Sequence, residues 1–428
     1  MSDPEQEPRH TLVKAADHVG YEAQPGEVDK VVLLYSGGLD TSVMLKWIQD
    51  EYHAKIVALT IDLGQPHDDL DQVRQKALDL GAVDAVVIDA REEFAEEYIA
   101  PAIRHNALYQ GQYPLFTPLG RPLLAKKAVE VARAHGAGAV AHGCTGKGND
   151  QVRIEVTVLT LDPTMKIIAP VRGWRMGRDE EMAYAARHGI PVPTTTESPY
   201  SIDDNIWGRS SEGGIIEEPE EIVPEDVFQL VTIPERAPDV PEVVRVGFER
   251  GLPVEVDGER LGLLGTIERL HEIGCRHGIG ILDHIEDRVV GLKVRDIYEV
   301  PAATIILTAH ADLEKYVCTG RENSFKRHVD QEWAELVYGG LWHEPLMRHL
   351  EAFSAEVNEK VNGTVTVKCF KGHASVVARE SEDAIYDRKL ATFVQDRGLF
   401  SQQASPGFIE LYSLQARMAH AVARRRGR

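Results

Sequence analysis

The sequence predicts an α/β fold in which a domain built on a parallel sheet is followed by an α+β domain and a C-terminal helix. Short β-branched runs alternate with segments of helical periodicity as far as about residue 188, and the alternation stops after a loop rich in Pro, Ser and Thr at 189–200. Alternating strands and helices with continuously apolar strands are typical of a parallel sheet covered on both faces. We therefore expect four segments, at 1–29, 30–190, 191–400 and 401–428.

The first domain is predicted to contain five strands separated by helices. The strands are the β-branched runs at 30–35, 55–62, 84–90, 138–143 and 166–171. The helices are the segments with apolar residues at helical spacing, at 42–51, 68–80, 92–108, 122–135 and one that ends near 188. Parallel sheets of this kind bind ligands at the carboxyl ends of their strands, so we expect a site in the loops after Tyr35, Leu63 and His142.

The second domain is predicted to mix strands and helices without regular alternation. Strands are expected at 228–233, 243–248, 253–258 and 289–298, and helices at 263–277, 302–318 and 329–361. The segments on either side of Lys371-Gly372 are typical of a hairpin. The run from Phe408 to Arg425 is a basic amphipathic helix that would either dock on another subunit or lie alone, whereas residues 1–29 offer little apolar periodicity and are expected to form a mobile lead.

Composition limits the classes of function. The 428 residues carry 47 Lys+Arg against 68 Asp+Glu, a net charge of −21, so neither nucleic acid nor an anionic membrane is an expected partner. The four cysteines are widely spaced and form no CxxC pair, which argues against a disulfide framework or a zinc site and indicates a reducing compartment. Without an apolar signal segment or a membrane-length apolar run, we expect a cytoplasmic protein.

The strongest local motif is Ser36-Gly37-Gly38-Leu39-Asp40-Thr41-Ser42, between a predicted buried strand and a predicted helix. The two glycines let the backbone approach an anion, the helix start supplies free amides, and three hydroxyls add donors. The segment matches neither G-x-x-x-x-G-K-[ST] nor G-x-G-x-x-G. It resembles the pyrophosphatase loop of ATP-pyrophosphate lyases, which would make the first domain nucleotide-binding and of the ATP-pyrophosphatase type. The alternative is a plain glycine-rich turn capped by Asp40 or Thr41.

A second polar cluster follows another predicted strand, at 142–153 with the sequence HGCTGKGNDQVR. Its side chains suit an amino acid ligand, with Asp150 for an ammonium group, Thr145 and Asn149 for carboxylates, and Arg153 for a further acceptor. The alternative is a polar loop whose side chains satisfy their own backbone.

Six segments in this order resemble the argininosuccinate synthase family: YSGGLDTS, IDLGQ, HGCTGKGNDQVR, PYSIDDNIWGRSSEGG, RHGIG and DIYE. The resemblance extends from about Lys30 to Phe408. It implies an ATP-dependent carbon–nitrogen ligase of arginine biosynthesis, with a synthetase and multimerisation domain after the nucleotide-binding domain. The ureido oxygen of citrulline would attack the α-phosphorus and release pyrophosphate, and the amine of aspartate would then displace AMP. Such a reaction needs no side-chain nucleophile, only positioning and charge stabilisation.

The resemblance also implies the residues of the site. The ATP set is Leu34, Tyr35, Ser36, Gly37, Gly38, Leu39, Asp40, Thr41 and Ser42, with Ile61 beside the adenine and Gly143 against the nucleotide. The aspartate set is Thr145, Asn149 and Asp150, with Asn149 also reaching citrulline; the citrulline set is Tyr113, Arg153, Ser201, Ser210, Glu286 and Tyr298. Mg²⁺ is implied with ATP, near Asp40 or Asp150, but phosphates and waters usually supply most of its ligands and we assign none. A homotetramer is implied as well.

The chain departs from the family pattern at 113–122, where YPLFTPLGRP replaces the common YLLGTSLARP. Pro118 stands in place of a serine that contacts citrulline and has neither hydroxyl nor N–H, while Phe116 replaces a glycine and is expected to fill space near the pocket. Either Thr117 or water substitutes, at a loss of about 0.5–1.5 kcal/mol, or the chain is a paralogous ATP- and aspartate-using ligase with another ureido or amide acceptor. We favour substitution.

Overall fold

The computed structural model describes residues 20–66, 69–174, 178–191, 200–392 and 400–426. These residues belong to two compact units, a large one that ends at Asp383 and a small one that starts at Ala384. Most of the predicted lead, at 1–19, and the middle of the predicted junction, at 192–199, lie outside the described residues.

A five-stranded parallel sheet forms the N-terminal half of the large unit, as predicted. The strands are β1 Lys30–Leu34, β2 Lys55–Asp62, β3 Asp84–Asp89, β4 Ala139–Ala141 and β5 Lys166–Ile168. Their order is β3-β2-β1-β4-β5, so the direction of winding reverses between β1 and β4. Such a reversal opens a crevice at the carboxyl ends of the two strands.

The helices around this sheet match the predicted ones with two corrections. They are α1 Leu39–Tyr52, α2 Leu70–Asp79, α3 Phe116–His135, α4 Asp150–Leu161 and α5 Arg178–His188. Helix α3 begins six residues before the predicted start at 122, because the apolar residues before Pro122 continue its buried face. The predicted helix at 92–108 is interrupted: Phe94–Ile99 is π-helical, next to Pro101, which has no N–H for an α-helical bond. Helix α4 was not predicted.

Two antiparallel sheets complete the large unit. One has the order β11-β12-β7-β6 and consists of β6 Ser201–Asn205, β7 Gly208–Glu212, β11 Ile281–Asp287 and β12 Lys293–Glu299. The other has the order β10-β9-β8-β13-β14 and consists of β8 Glu242–Glu249, β9 Leu252–Val256, β10 Glu259–Arg260, β13 Gly363–Phe370 and β14 His373–Glu380. The hairpin around Lys371 is confirmed by the pairing of β13 with β14.

The predicted strand at 228–233 is wrong. The backbone N–H groups of Leu230 and Val231 donate to the carboxylate of Glu299, at 2.9 and 2.7 Å, instead of to a neighbouring strand. A buried carboxylate can therefore satisfy amides in a segment whose apolar residues are typical of a strand.

Four further helices belong to the large unit: α6 Gly262–Arg276, α7 Pro301–Val317, α8 Gly320–Tyr338 and α9 Pro345–Asn358. Helix α6 packs against β9, α7 packs against β13 and β14, and α8 and α9 pack against each other. The single helix predicted at 329–361 is α8 and α9, separated by a turn at Gly340. Gly340 has a φ of +77°, and a Cβ there would lie 2.7 Å from the Cα of Arg153, so only glycine fits. This close approach sets the end of α8, including Tyr338, against the cluster at 142–153.

The small unit is mostly helical. Its described helices are a short one at Arg388–Ala391, α10 Ala404–Tyr412 and α11 Leu414–Arg425. The predicted basic helix at 408–425 is thus a pair of helices that meet at Ser413. Large apolar side chains of both helices are exposed, namely Phe408, Ile409, Leu411, Tyr412, Leu414, Met418 and Val422.

Candidate functional site

A cleft of about 880 Å³ opens at the carboxyl ends of β1 and β4. Its lining includes all of the predicted site residues except Tyr35, Gly37, Ser42 and Ile61. A second pocket of about 370 Å³ is lined by Tyr35 and Ile61 and shares Leu34 and Ser36 with the cleft. The fold therefore brings the two sequence clusters and the more distant predicted residues to one place.

The phosphate loop, residues 36–42, connects β1 to α1. Gly37 has a φ of +80°, a conformation that favours glycine, and its carbonyl accepts a hydrogen bond of 2.8 Å from Lys76 Nζ. Since the carbonyl and the next N–H of a trans peptide point in opposite directions, this bond turns the Gly38 N–H away from Lys76. Gly38 is the N-cap of α1 and has no side chain to cap the helix, while its own N–H donates to the Ser36 hydroxyl at 3.4 Å. The start of α1 therefore presents backbone amides and a hydroxyl where an anion could bind.

Three hydroxyls of the phosphate loop divide into two roles. Ser36 and Thr41 line the cleft, with their hydroxyl oxygens 3.1 Å apart. The Ser42 hydroxyl is fully buried, donates to the Gly38 carbonyl at 2.7 Å and lies 3.0 Å from the hydroxyl of Tyr35. Ser42 thus supports the loop from the interior of the domain.

Asp150 occupies the first position of α4, between two arginines. Arg121 Nη2 donates to one carboxylate oxygen at 2.7 Å, and Arg153 Nη1 donates to the other at 3.0 Å. Burial raises the pKa of Asp150, but the two guanidinium groups outweigh burial and lower that pKa to about 2. The Asp150 carboxylate is therefore ionised throughout the physiological pH range.

Asn149 joins the 142–153 cluster to the opposite wall of the cleft. Its Nδ2 donates to the Tyr338 hydroxyl at 2.8 Å, and its Oδ1 accepts from the Val289 N–H at 2.8 Å. Gly340 permits this contact by letting α8 end close to α4. The nearby Thr145 is exposed and lines the cleft.

The opposite wall of the cleft is the sheet of β6, β7, β11 and β12. Ser201 and Ser210 line the cleft from β6 and β7, and Tyr298 on β12 pairs with Ser210. The buried carboxylate of Glu286 on β11 accepts 2.7 and 2.8 Å hydrogen bonds from the hydroxyls of Tyr298 and Tyr338. The Nε of Arg288 lies 3.8 Å from the same carboxylate. A carboxylate fixed in this way is suited to a substrate ammonium.

Phe116 lies behind the pocket wall and does not fill the pocket. The rings of Tyr113 and Tyr298 stack with centroids 4.2 Å apart, and Phe116 meets both edge-on at 6.1 Å. Phe116 is completely buried and is not among the residues that line the cleft. Phe116 thus fills space next to the pocket, as expected, but it does so behind the wall, where it packs against the aromatic pair.

Pro118 is accommodated because it falls in the first turn of α3, where an amide has no partner within the helix. Its neighbour Thr117 lines the cleft, while the Thr117 N–H donates to the Tyr113 hydroxyl at 3.2 Å. The residue next to Pro118 in the cleft lining therefore carries a hydroxyl group.

Several cleft residues were not predicted from the sequence, namely Arg121, Asp203, Glu212 and Arg288. Arg121 carried a signal, because it is the only charged residue in the apolar stretch 113–125. The other three carry no local signal, because they reach the cleft through strand pairing and the turn after β11.

Within the described ranges of the chain, no group of three or more His, Cys, Asp or Glu side chains is placed to hold a metal ion. No helix in the described ranges is long and apolar enough to span a membrane. All four cysteines are free thiols.

Comparison with known proteins identifies relatives over nearly the whole chain. The family model for the arginosuccinate synthase N-terminal HUP domain matches residues 30–191, and the model for the C-terminal domain matches residues 200–419. The argininosuccinate synthase of Rubrobacter xylanophilus is 53% identical over 388 residues, covering 91% of this chain and 94% of the relative. The enzymes of that name from Pyrococcus furiosus (51% over 391 residues, 91% and 94%) and Oceanobacillus iheyensis (49% over 394 residues, 92% and 94%) are similar.

Proposed function

Because the chain belongs to the argininosuccinate synthase family, we propose that it condenses citrulline and aspartate to argininosuccinate in arginine biosynthesis, converting ATP to AMP and pyrophosphate. The observation that carries the proposal is the single cleft that joins the phosphate loop, Asp150 and Glu286. An adenylating ligase needs an anion site, an acceptor site and an amine site within reach of one another.

The ATP site is proposed at the phosphate loop and the second pocket. The amides at the start of α1 and the hydroxyls of Ser36 and Thr41 would hold the phosphates. Adenine would enter the second pocket beside Ile61, whose carbonyl accepts a 2.7 Å bond from Gln65 Nε2.

The acceptor site is proposed at the wall formed by β7, β11 and β12. Glu286 would pair with the α-ammonium of citrulline, Tyr113 and Tyr298 would form an aromatic surface, and Arg153, Ser201 and Ser210 would contact its polar groups. The hydroxyl of Thr117, which lines the cleft beside Pro118, is the group available to replace the serine hydroxyl of the family pattern.

The amine donor is proposed at the start of α4. Asp150 would hold the ammonium of aspartate, and Thr145 and Asn149 would contact its carboxylates. The ureido oxygen of citrulline attacks the α-phosphorus, the α–β phosphoanhydride bond breaks and pyrophosphate leaves. The amine of aspartate, after losing a proton, then attacks the ureido carbon, and AMP leaves with its C–O bond electrons.

Mg²⁺ is proposed to arrive with ATP. The described residues form no cage for it, which suits an ion held mainly by phosphate oxygens and water. Asp150 is a poor ligand because both of its oxygens already accept from arginines. Asp40 lines the cleft beside the phosphate loop and is the nearer candidate to meet the hydrated ion.

Pyrophosphate release tests the function. Purified protein would be incubated with ATP, Mg²⁺, citrulline and aspartate, with each omitted in turn, while pyrophosphate and AMP are measured. Release that requires both amino acids, with argininosuccinate detected by mass spectrometry, is the expected result. ATP binding without release would contradict it and favour another acceptor, to be sought among ureido and amide compounds. The buried position of Phe116 favours citrulline, because the change from glycine leaves the cleft lining intact.

Because of the Asp296 carboxyl, we predict that kcat/KM for citrulline depends on pH. Burial, Glu286 and Glu212 raise the pKa of its carboxyl to about 7, despite the guanidinium of Arg288. Asp296 is therefore neutral below pH 7 and negative above it, where it adds attraction for an ammonium next to Glu286. We expect kcat/KM for citrulline to rise as the pH passes through about 7, and Asp296→Asn to remove that rise.

The control for this measurement is Asp283→Asn, which changes an exposed aspartate on the same sheet. Asp283 pairs with Arg295 outside the cleft lining, so its variant should keep the wild-type pH profile. A rise near pH 7 that persists in Asp296→Asn would contradict the assignment.

A homotetramer is proposed, with α10 and α11 as its assembly arm. Their exposed apolar side chains would be covered by another subunit. Deleting the residues after Gly407 is expected to lower the molar mass measured by light scattering. An unchanged mass would contradict this role. The four free thiols agree with a cytoplasmic location, which we also propose.

A further inference from the structure

We propose that Arg121 is a positioning residue that couples the nucleotide site to the amine-donor site by exchanging Asp150 for phosphate. The inference rests on the proposed function, since it takes Asp150 as the partner of the aspartate ammonium. It concerns what holds Asp150 before any substrate is present and what releases it.

Arg121 lies where the cleft and the second pocket meet. It lines both, together with Leu34 and Ser36 of the nucleotide site. Its side chain is 13% exposed, and its Nη2 contacts the carboxylates of Asp150 and Asp203 at once. Asp203 also lines both cavities, whereas Asp150 lines the cleft alone. The ion cluster of Arg121, Asp150 and Asp203 therefore lies where the two cavities adjoin.

The ion cluster blocks the role proposed for Asp150. One of its oxygens accepts from Arg121 and the other from Arg153. An ammonium placed beside Asp150 would therefore stand next to two guanidinium groups, and like charges at such distances repel strongly when partly shielded from water. In this arrangement Asp150 binds an ammonium weakly.

Of the two arginines, Arg121 is the one free to leave. Arg153 is anchored independently: its Nε donates to the Tyr338 carbonyl at 2.9 Å, and its guanidinium lies 4.8 Å from the centre of the Tyr338 ring. The described hydrogen bonds of Arg121 go only to Asp150 and Asp203. Its guanidinium can exchange one carboxylate for another anion without breaking a contact to the backbone.

ATP supplies that anion. A triphosphate at the phosphate loop would lie in the same cleft that Arg121 lines, and guanidinium binds phosphate in the same fork geometry as carboxylate. Arg121 would turn to the phosphates, and one Asp150 oxygen would become available to an ammonium. ATP binding therefore raises the affinity for aspartate, and by thermodynamic linkage aspartate raises the affinity for ATP by the same factor.

The test is the affinity for aspartate with and without nucleotide, measured by titration calorimetry in the absence of citrulline. The nucleotide is the non-cleavable α,β-methylene analogue of ATP with Mg²⁺, at saturation. In the wild-type chain we expect the analogue to tighten aspartate binding by about tenfold or more. In Arg121→Gln this ratio should fall to nearly one. The matched control is Arg133→Gln, on the same helix, where an exposed arginine pairs with Asp162 and the wild-type ratio should persist.

Asp203→Asn supplies a change in the opposite direction. Without the second carboxylate, Arg121 rests on Asp150 alone, so aspartate should bind more weakly without nucleotide and the ratio should exceed that of the wild type. Because this variant keeps Arg121, it also tests the proposal if Arg121→Gln does not fold.

Two results would overturn the inference. One is a ratio of one in the wild-type chain. The other is an unchanged ratio in Arg121→Gln; if both affinities also fall by the same factor, Arg121 is a direct ligand of an aspartate carboxylate. Both are distinct from failure of the proposed function, in which no aspartate binds under any condition and no pyrophosphate is released.

Discussion

Replacing Asp150 with alanine is expected to lower kcat/KM for aspartate by about two to three orders of magnitude, whereas ATP affinity changes little. The ionised carboxylate at the start of α4 is the group proposed to hold the aspartate ammonium. Alanine removes this carboxylate and leaves the positive charge of the ammonium without a partner. ATP would still bind, because its proposed contacts, the amides and hydroxyls of the phosphate loop and the guanidinium of Arg121, do not include Asp150. The measurements are steady-state kinetics for each substrate and direct titration with ATP.

The Asp150→Ala variant is expected to fold, since its neighbours keep other partners. Arg121 remains paired with Asp203, and Arg153 remains bonded to the Tyr338 carbonyl. Asp162→Ala is the matched control, because Asp162 follows the other end of α4, outside the cleft lining. Loss of ATP binding, with aspartate binding retained, would show that Asp150 belongs to the nucleotide site instead.

The parallel sheet and the phosphate loop could be predicted because their signals are local. Strands buried on both faces are continuously apolar, and glycines between a strand and a helix indicate an anion site in any context. The second domain was less predictable, since β6 and β7 are polar (Ser201–Asn205 and Gly208–Glu212). They form strands because they pair with each other and β7 also pairs with β12. The run at 228–233 shows the opposite case: it is apolar and was predicted to be a strand, but it forms none because its backbone amides donate to the carboxylate of Glu299.

The same difference between local and tertiary signals applies to the residues of the site. Residues within the two sequence clusters were found directly, but the ion partners between them depend on tertiary contacts. Asp203 meets Arg121 because β6 packs against α3, and Tyr338 reaches Glu286 because the turn at Gly340 brings the end of α8 close to α4. The glycine-to-phenylalanine change at Phe116 shows the same dependence: the sequence places it beside the pocket, and packing decides that it faces away.

Replacing Glu286 with glutamine is expected to raise KM for citrulline by about one hundredfold while KM for ATP and aspartate changes little. Glutamine keeps the shape of the side chain but removes the negative charge proposed to pair with the citrulline ammonium. It also replaces one hydrogen-bond acceptor with a donor, so one of the two hydroxyls, on Tyr298 or Tyr338, must find another acceptor.

Glu335→Gln separates this effect from a general loss of charge, because Glu335 is exposed on α8 and lies outside the cleft lining. Thermal unfolding of Glu286→Gln separates it from a loss of structure: Tyr298 retains Asp296 as an acceptor at 3.2 Å, so the fold should survive. If KM for citrulline stays at the wild-type value in the folded Glu286→Gln variant, the ammonium must bind elsewhere on this wall, and Asp296, the other carboxylate that contacts Tyr298, becomes its partner.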